Sequence, residues 1–435
     1  MVINFSHDRI SATLRDDPEF RLASRKWTAR IRLDQGAAVD DLVLEDGKLV
    51  SFGPSEGDSW DVRISAPEAS WPKLFNGEPD LYWVFPLSIE GFQLEGDLIS
   101  HLAPYDPAIG RLVTVLRNIE GVPVPEVHVS RDPFEATDNA VGRYIYIDVD
   151  GTRFRVYYEE AGTGDIPLLL QHTAGADSRQ WRHFLADPAM QAKYRMIAYD
   201  LPYHGRSLPP LTNEHWWQNE YAPSRDQLLA RVVAISHALE LDRPIFLGVS
   251  VGGQMASDIL AAYPDDFRGS IGVNGWYYSE AVSVMDNEPF HDPRINPEYW
   301  SSRQYEGSSN LAPEEFRREV QWIYASNGPA VYKGDNEYYA HDHDLRVNGH
   351  LIKPARTPYY AIACEFDPTA TMAGGGFEFP EKIPGSKYFE LKGLSHFAMA
   401  DDPVRFNAAM GPILDEMVAD TEKIAATSKV SETVH

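Results

Sequence analysis

Gly248-Val249-Ser250-Val251-Gly252 sets one serine between two glycines. It directly follows the apolar run Pro244–Leu247 and precedes the helix-like stretch Gln254–Tyr263. A serine in such a strand-to-helix turn is a nucleophile elbow. The glycines are needed because bulkier neighbours would collide with a tight, strained turn. The hydroxyl then projects above the strand end, beside a helix N-terminus that favours developing negative charge. A serine hydroxyl is a weak nucleophile without a base. Of the 14 histidines, His396 is the best placed, in the loop Leu391-Lys392-Gly393-Leu394-Ser395-His396-Phe397 just after the last expected strand. Alone, such a residue reads as a solvated loop histidine; its place after the elbow changes that reading. The base needs an orienting carboxylate. The buried run Tyr359–Cys364 ends in Glu365-Phe366-Asp367-Pro368, which puts Asp367 at a strand's C-terminal edge, where catalytic groups of open sheets gather. Glu365 is the rival.

The elements that must position these three residues begin near Arg143. Strand-like runs at Tyr144–Asp148, Phe154–Tyr158, Ile166–Gln171, Tyr194–Tyr199, Pro244–Gly248, Ser270–Asn274, Tyr359–Cys364 and Lys387–Leu391 alternate with helical ones such as Ser224–Leu239. That alternation implies an α/β fold, a mostly parallel sheet wrapped by helices. Residues 1–120 differ. Trp27–Leu33 alternates as a half-buried strand, Asp41–Phe52 forms a hairpin around Asp46-Gly47, and Trp60–Ile64 is a further strand. Helices are expected near Trp71–Phe75 and Pro107–Asn118. This is a smaller α+β domain with an antiparallel sheet. Proline-rich residues 121–142 read as a linker, and the polar tail 421–435 as a fraying end.

Residues 143–420 resemble the α/β-hydrolase superfamily, in which the triad runs Ser…Asp…His along the chain. Asp200-Leu201-Pro202-Tyr203-His204-Gly205-Arg206-Ser207 is similar to the family's D-x-P-G-x-G-x-S loop, with Tyr203 in place of a glycine. Leu169-Leu170-Gln171-His172-Thr173-Ala174-Gly175 resembles its H-G-x-x-G oxyanion loop, with Thr173 in place of the glycine. The resemblance implies backbone oxyanion donors at Val251 and Ala174, each worth roughly 3–4 kcal/mol in the transition state. It also implies a cap, inserted at 275–354. That stretch is rich in aromatics, including Trp276, Tyr277 and Trp300. These three, with His172, Thr173 and Phe397, are the expected substrate contacts, although most rings of a cap form its core. Such a lid suits a bulky apolar or aromatic small molecule. The N-terminal domain, with its Trp-led strand, D-G hairpin and terminal amphipathic helix, resembles sterol-carrier-like lipid-binding domains.

The leading activity is hydrolysis of a carboxylic ester or lactone through an acyl-enzyme. The alternatives are C–C bond hydrolysis of a meta-cleavage product or β-diketone, and a non-catalytic carrier or receptor for an apolar ligand. Acidic residues number 65 against 39 basic ones, a formal net charge of −26, which repels nucleic acid and anionic membranes. A homo-oligomer is left open. The one cysteine, Cys364, rules out an internal disulfide. No basic-then-apolar leader and no run of about 18 apolar residues is visible, so a cytoplasmic protein without a membrane span is expected. His341-Asp342-His343-Asp344 lacks common zinc spacing, and Gly374-Gly375-Gly376 lacks a following Lys-Ser/Thr, so no metal or organic cofactor is expected.

Overall fold

The computed structural model describes residues 2–76, 91–123, 126–129, 139–212, 215–279, 289 and 291–432. It falls into two compact units: Met1–His128 with Asp292–Gln321, and Val129–His291 with Trp322–His435.

The smaller unit is built on five strands: β1 (Ala29–Asp34), β2 (Val39–Glu45), β3 (Lys48–Pro54), β4 (Val62–Ser65) and β5 (Gln93–Gly96), in the order β3-β2-β1-β4-β5. Asp46 and Gly47 both take positive φ between β2 and β3, as the two-residue hairpin turn requires. The expectation of a purely antiparallel sheet needs correction, because β4 runs parallel to β1. After the hairpin the chain crosses to the free edge of β1 and pairs there in β1's direction. Two helices not anticipated, His7–Asp16 and Pro18–Ala23, precede the sheet. The second carried a legible signal, since Asp17 caps the Phe20 amide at 2.7 Å with Pro18 in the first helical position. The sheet and the helix Ala103–Glu120 bury Trp27, Ile31, Leu42, Leu112 and Leu116 in one core. The helix Pro297–Glu306 belongs to this unit. Its Ser302 hydroxyl bonds the Asp106 carboxylate, and Gly110 leaves room for Glu306. Residues 292–321, expected within the cap, are thus part of the smaller unit.

The larger unit carries β6 (Val141–Val149), β7 (Thr152–Ala161), β8 (Ile166–Gln171), β9 (Tyr194–Tyr199), β10 (Ile245–Val249), β11 (Gly269–Val273), β12 (Tyr359–Cys364) and β13 (Lys387–Leu391). They lie in one sheet, β13-β12-β11-β10-β8-β9-β7-β6. Only β6–β7 and β7–β9 pair antiparallel. β10, β11 and β12 are buried along their whole length, as continuous apolar runs in a sheet covered on both faces must be. One core gathers Phe246, Met255, Ile259 and Leu229, the other Leu247, Ile271, Phe406 and Leu414. The helix Arg225–Ala238 opens on a capping box between Ser224 and Gln227. Of the linker expected at 121–142, residues 124, 125 and 130–138 lie outside the described residues, and Val141 already opens β6. The helix Pro403–Glu432 runs into the stretch read as a polar tail, through good helix formers such as Glu422, Lys423, Ala425 and Ala426.

Candidate active site

Ser250 sits between β10 and the helix Val251–Ala262 at φ 60° and ψ −116°, a conformation L-residues rarely adopt. The flanking glycines permit it. A Cβ on Gly248 would stand 2.4 Å from the Gly252 carbonyl carbon, and one on Gly252 would stand 2.6 Å from Gln171 Cγ. The Ser250 amide donates to Val273 O at 2.9 Å, which ties the elbow to the end of β11. The serine side chain makes no capping bond, so its hydroxyl is not committed to the helix it precedes. The Val251 amide opens that helix, where N–H groups have no helical partner.

Asp367 lies just beyond β12 and is buried. Its Oδ1 accepts from the Thr369 amide at 2.8 Å and the Thr369 hydroxyl at 2.6 Å. Its Oδ2 accepts from His396 Nδ1. The carboxylate is therefore locked from one side and engages the imidazole from the other. Glu365 does not compete. It accepts from the Gly393 amide at 2.8 Å and from Lys392 at 3.1 Å, which hold its pKa below the usual range. Asn274, at φ 52°, joins the parts. Its amide donates to Ile362 O at 2.7 Å, its Oδ1 accepts from the Cys364 amide at 2.8 Å, and its Nδ2 reaches His396 O at 3.3 Å. Since Val273 holds the elbow and Asn274 holds the histidine loop, Ser250 and His396 are tied to one sheet edge by adjacent residues. Among the described residues, no hydrogen bond engages Ser250 Oγ or His396 Nε2. Ligand-free sites commonly leave such pairs loose until substrate tightens them.

The loop after β8 is held by side chains. His172 Nε2 accepts from the Leu201 amide at 3.2 Å, so the proton sits on Nδ1, which donates to Thr173 O at 2.8 Å. Burial and the adjacent His204 lower its pKa to about 4, so the ring is neutral. The Thr173 amide donates to Gln180 Oε1 at 3.0 Å, and the Thr173 hydroxyl meets Tyr324. The Gly175 amide donates to Asp335 Oδ2 at 2.7 Å. Ala174 lies between these two committed amides.

The other expected contacts are scattered. Phe397 packs edge-on to His396 at 4.9 Å and 5.6 Å from Tyr324. Trp276 and Tyr277 are buried, and Tyr277 packs against Phe379. Trp300 belongs to the smaller unit, buried within the helix Pro297–Glu306. His341-Asp342-His343-Asp344 does not converge. His343 is buried against Asp258 and Trp276 O, His341 is exposed, and Asp344 pairs with Arg346. Among the described residues no His/Cys/Asp/Glu group could hold a metal, and no helix is long and apolar enough to cross a membrane. Asn274, Gln180 and Asp335 were not read from the sequence as site residues, and Tyr324 only as one of the many cap aromatics. Only Asn274 carried a local signal, an Asn-Gly pair ending a strand.

Residues 166–320 match the sequence model of the alpha/beta hydrolase fold family. A 2-hydroxy-6-oxononadienedioate/2-hydroxy-6-oxononatrienedioate hydrolase of Burkholderia vietnamiensis is 33% identical over 132 residues, covering 30% of this chain and 43% of that protein. One of the same name from Paraburkholderia phymatum is 30% identical over 137 residues, covering 31% and 44%. The chain thus spans less than half the length of these curated relatives. Among solved structures, an enol-lactonase from Burkholderia xenovorans superposes with a TM-score of 0.52 at 20% identity, over 62% of this chain and 100% of that one. A thermophilic esterase from Thermogutta terrifontis gives 0.51 at 17%, over 63% and 99%. At these identities the structural likeness is one of fold.

Proposed function

From the premise that the larger unit has the α/β-hydrolase fold and belongs to that superfamily, we propose that this chain is a serine hydrolase. Its substrate is a carboxylic ester or lactone with a bulky apolar or aromatic group. The observation that carries the reading is the strained, uncapped Ser250, tied through Val273 and Asn274 to the edge that holds the His396–Asp367 pair. Ser250 Oγ attacks the carbonyl carbon while His396 Nε2 takes its proton. Asp367 holds the proton on Nδ1 and stabilises the imidazolium. The amides of Val251 and Ala174 receive the negative charge on the carbonyl oxygen. His396 returns the proton to the leaving alkoxide, and a water deprotonated by His396 then releases the acid from the acyl-enzyme. The aromatic rings of Phe397 and Tyr324, together with Tyr332 beside Gly175, support a bulky acyl or alcohol group over a small polar one.

A second reading, hydrolysis of a C–C bond next to a ketone, is favoured by the names of the curated relatives and uses the same groups. A fluorophosphonate probe tests the shared part. Mass spectrometry is expected to find the adduct on Ser250, and a folded protein that stays unlabelled would favour a carrier. Comparing kcat/KM on a p-nitrophenyl ester with that on a vinylogous diketone separates the two enzymes.

A further inference from the structure

Four residues of one short stretch, Tyr324, Asn327, Tyr332 and Asp335, reach the two loops that follow β8 and β9. Asn327 Nδ2 donates to Asp177 at 2.7 Å, and its Oδ1 accepts from the Gly205 amide at 2.9 Å. Tyr332 lies so close to Gly175 that a Cβ there would stand 2.7 Å from Tyr332 Cβ and 3.0 Å from its Cα. Asp335 is buried and takes three donors. Gly175 N and His204 Nε2 share Oδ2, at 2.7 and 2.8 Å, and the Tyr221 hydroxyl reaches Oδ1 at 3.2 Å. A buried carboxylate is strongly disfavoured unless it is paired and hydrogen-bonded, and here it is both. The proton and acyl transfers described above use neither Asn327 nor Asp335.

We propose that Asp335 is a positioning residue for the oxyanion loop: carried on the helix Pro329–Glu337, it holds the Gly175 amide and so fixes the turn that carries the Ala174 amide. The inference rests on the serine-hydrolase reading. Hydrogen-bond geometry supports it. His204 Nδ1 faces Pro202 O at 3.1 Å and Nε2 faces the carboxylate, so both ring nitrogens donate and the ring is cationic. Burial opposes that charge, but Asp335 outweighs it and leaves the His204 pKa raised. Burial likewise works against ionised Asp335, and His204 outweighs it. The ion pair anchors the carboxylate, which leaves it one fixed direction in which to accept from Gly175.

Three variants test the assignment. Asp335→Asn gives up the ion pair with His204 but keeps the acceptor for the Gly175 amide, since its carbonyl oxygen replaces Oδ2 and its amide can donate to Tyr221; kcat within about fivefold of wild type is expected. Asp335→Ala removes the acceptor. Its kcat is expected to fall by thirtyfold or more with KM changed less than threefold, bounded by the roughly 10²–10³-fold cost of losing one oxyanion donor outright. Affinity for a trifluoromethyl ketone should fall with kcat, while affinity for the product acid should not. Gly175→Ala, which pushes the loop away from Tyr332, should fall in the same way and decides the matter if Asp335→Ala does not fold. A folded Asp335→Ala, or Gly175→Ala, with kcat within threefold of wild type would overturn the proposal. Exchange of the Gly175 amide gives a readout independent of turnover. It should be slow in wild type and Asp335→Asn and fast in Asp335→Ala, and equal rates would also overturn it. Failure of wild type to take the fluorophosphonate label would sink the hydrolase reading instead.

Discussion

His396 with Asp367 and His204 with Asp335 are the same two residue types at the same kind of contact, yet their surroundings give them opposite work. His204 is wholly buried and both its ring nitrogens donate, one to Pro202 O and one to Asp335. It has no lone pair to offer. His396 keeps 23% of its side chain exposed, and Asp367 engages only Nδ1. Its Nε2 can accept a proton. His343 repeats the first arrangement, closed between Asp258 and Trp276 O. A His–Asp contact is therefore no mark of catalysis by itself. What distinguishes the candidate base is a free second nitrogen at a sheet edge shared with a strained serine.

The contrast breaks most readily at the open pair. Ser250→Ala or His396→Ala is expected to lower kcat by about 10⁶-fold, and Asp367→Asn by about 10⁴-fold through the wrong imidazole tautomer. Steady-state kinetics on an activated ester measures all three. Retained turnover in Ser250→Ala would show that another group does the chemistry. A damaging Glu365→Gln beside a mild Asp367→Asn would transfer the orienting role to Glu365.

The closed pair should answer in stability. Asp258 also accepts from the Tyr338 hydroxyl at 2.9 Å and from the half-buried Asn348 at 3.2 Å, so Asp258→Ala takes the acceptor from three donors at once, two of them buried. Removing one partner of a buried pair costs about 3–5 kcal/mol. Urea unfolding should show that loss, while kcat per fluorophosphonate-reactive site stays within threefold of wild type. A kcat loss comparable to that of Asp367→Asn would mean that His343 takes part in the chemistry.

The centre of the sheet was legible because its strands are continuous apolar runs, buried from end to end, as in Tyr359–Cys364. The elbow was legible because its constraint is local: a serine between glycines, after a strand and before a helix. Asp335 was not. Its neighbours Gly175, His204 and Tyr221 lie 160, 131 and 114 positions away, and nothing in Lys333-Gly334-Asp335-Asn336 announces them. The grouping of 292–321 with the smaller unit was hidden for the same reason, since Ser302 meets Asp106 from 196 positions away. Local pattern gives elements and turns; a buried charge network is decided by which loops the fold brings together.

The smallest expected effect concerns His172, the neutral neighbour of cationic His204, and it sharpens the comparison by sign. Burial and the charge of His204 set its pKa at about 4 in the folded protein, against about 6.5 in the unfolded chain. Between those values the unfolded state binds the extra proton, so stability falls as the pH falls through the window. His204 works the other way: its raised pKa gives stability that is complete below about pH 6.5 and is lost as pH rises through the folded value. His172→Gln isolates the first term, because its carbonyl oxygen can accept from Leu201 and its amide can donate to Thr173 O. Urea unfolding at pH 6.5 and 4.5 should show wild type losing about 2 kcal/mol more than the variant across that interval. Equal losses would mean that His172 takes its proton in the folded protein, and the two histidines would then no longer differ in charge.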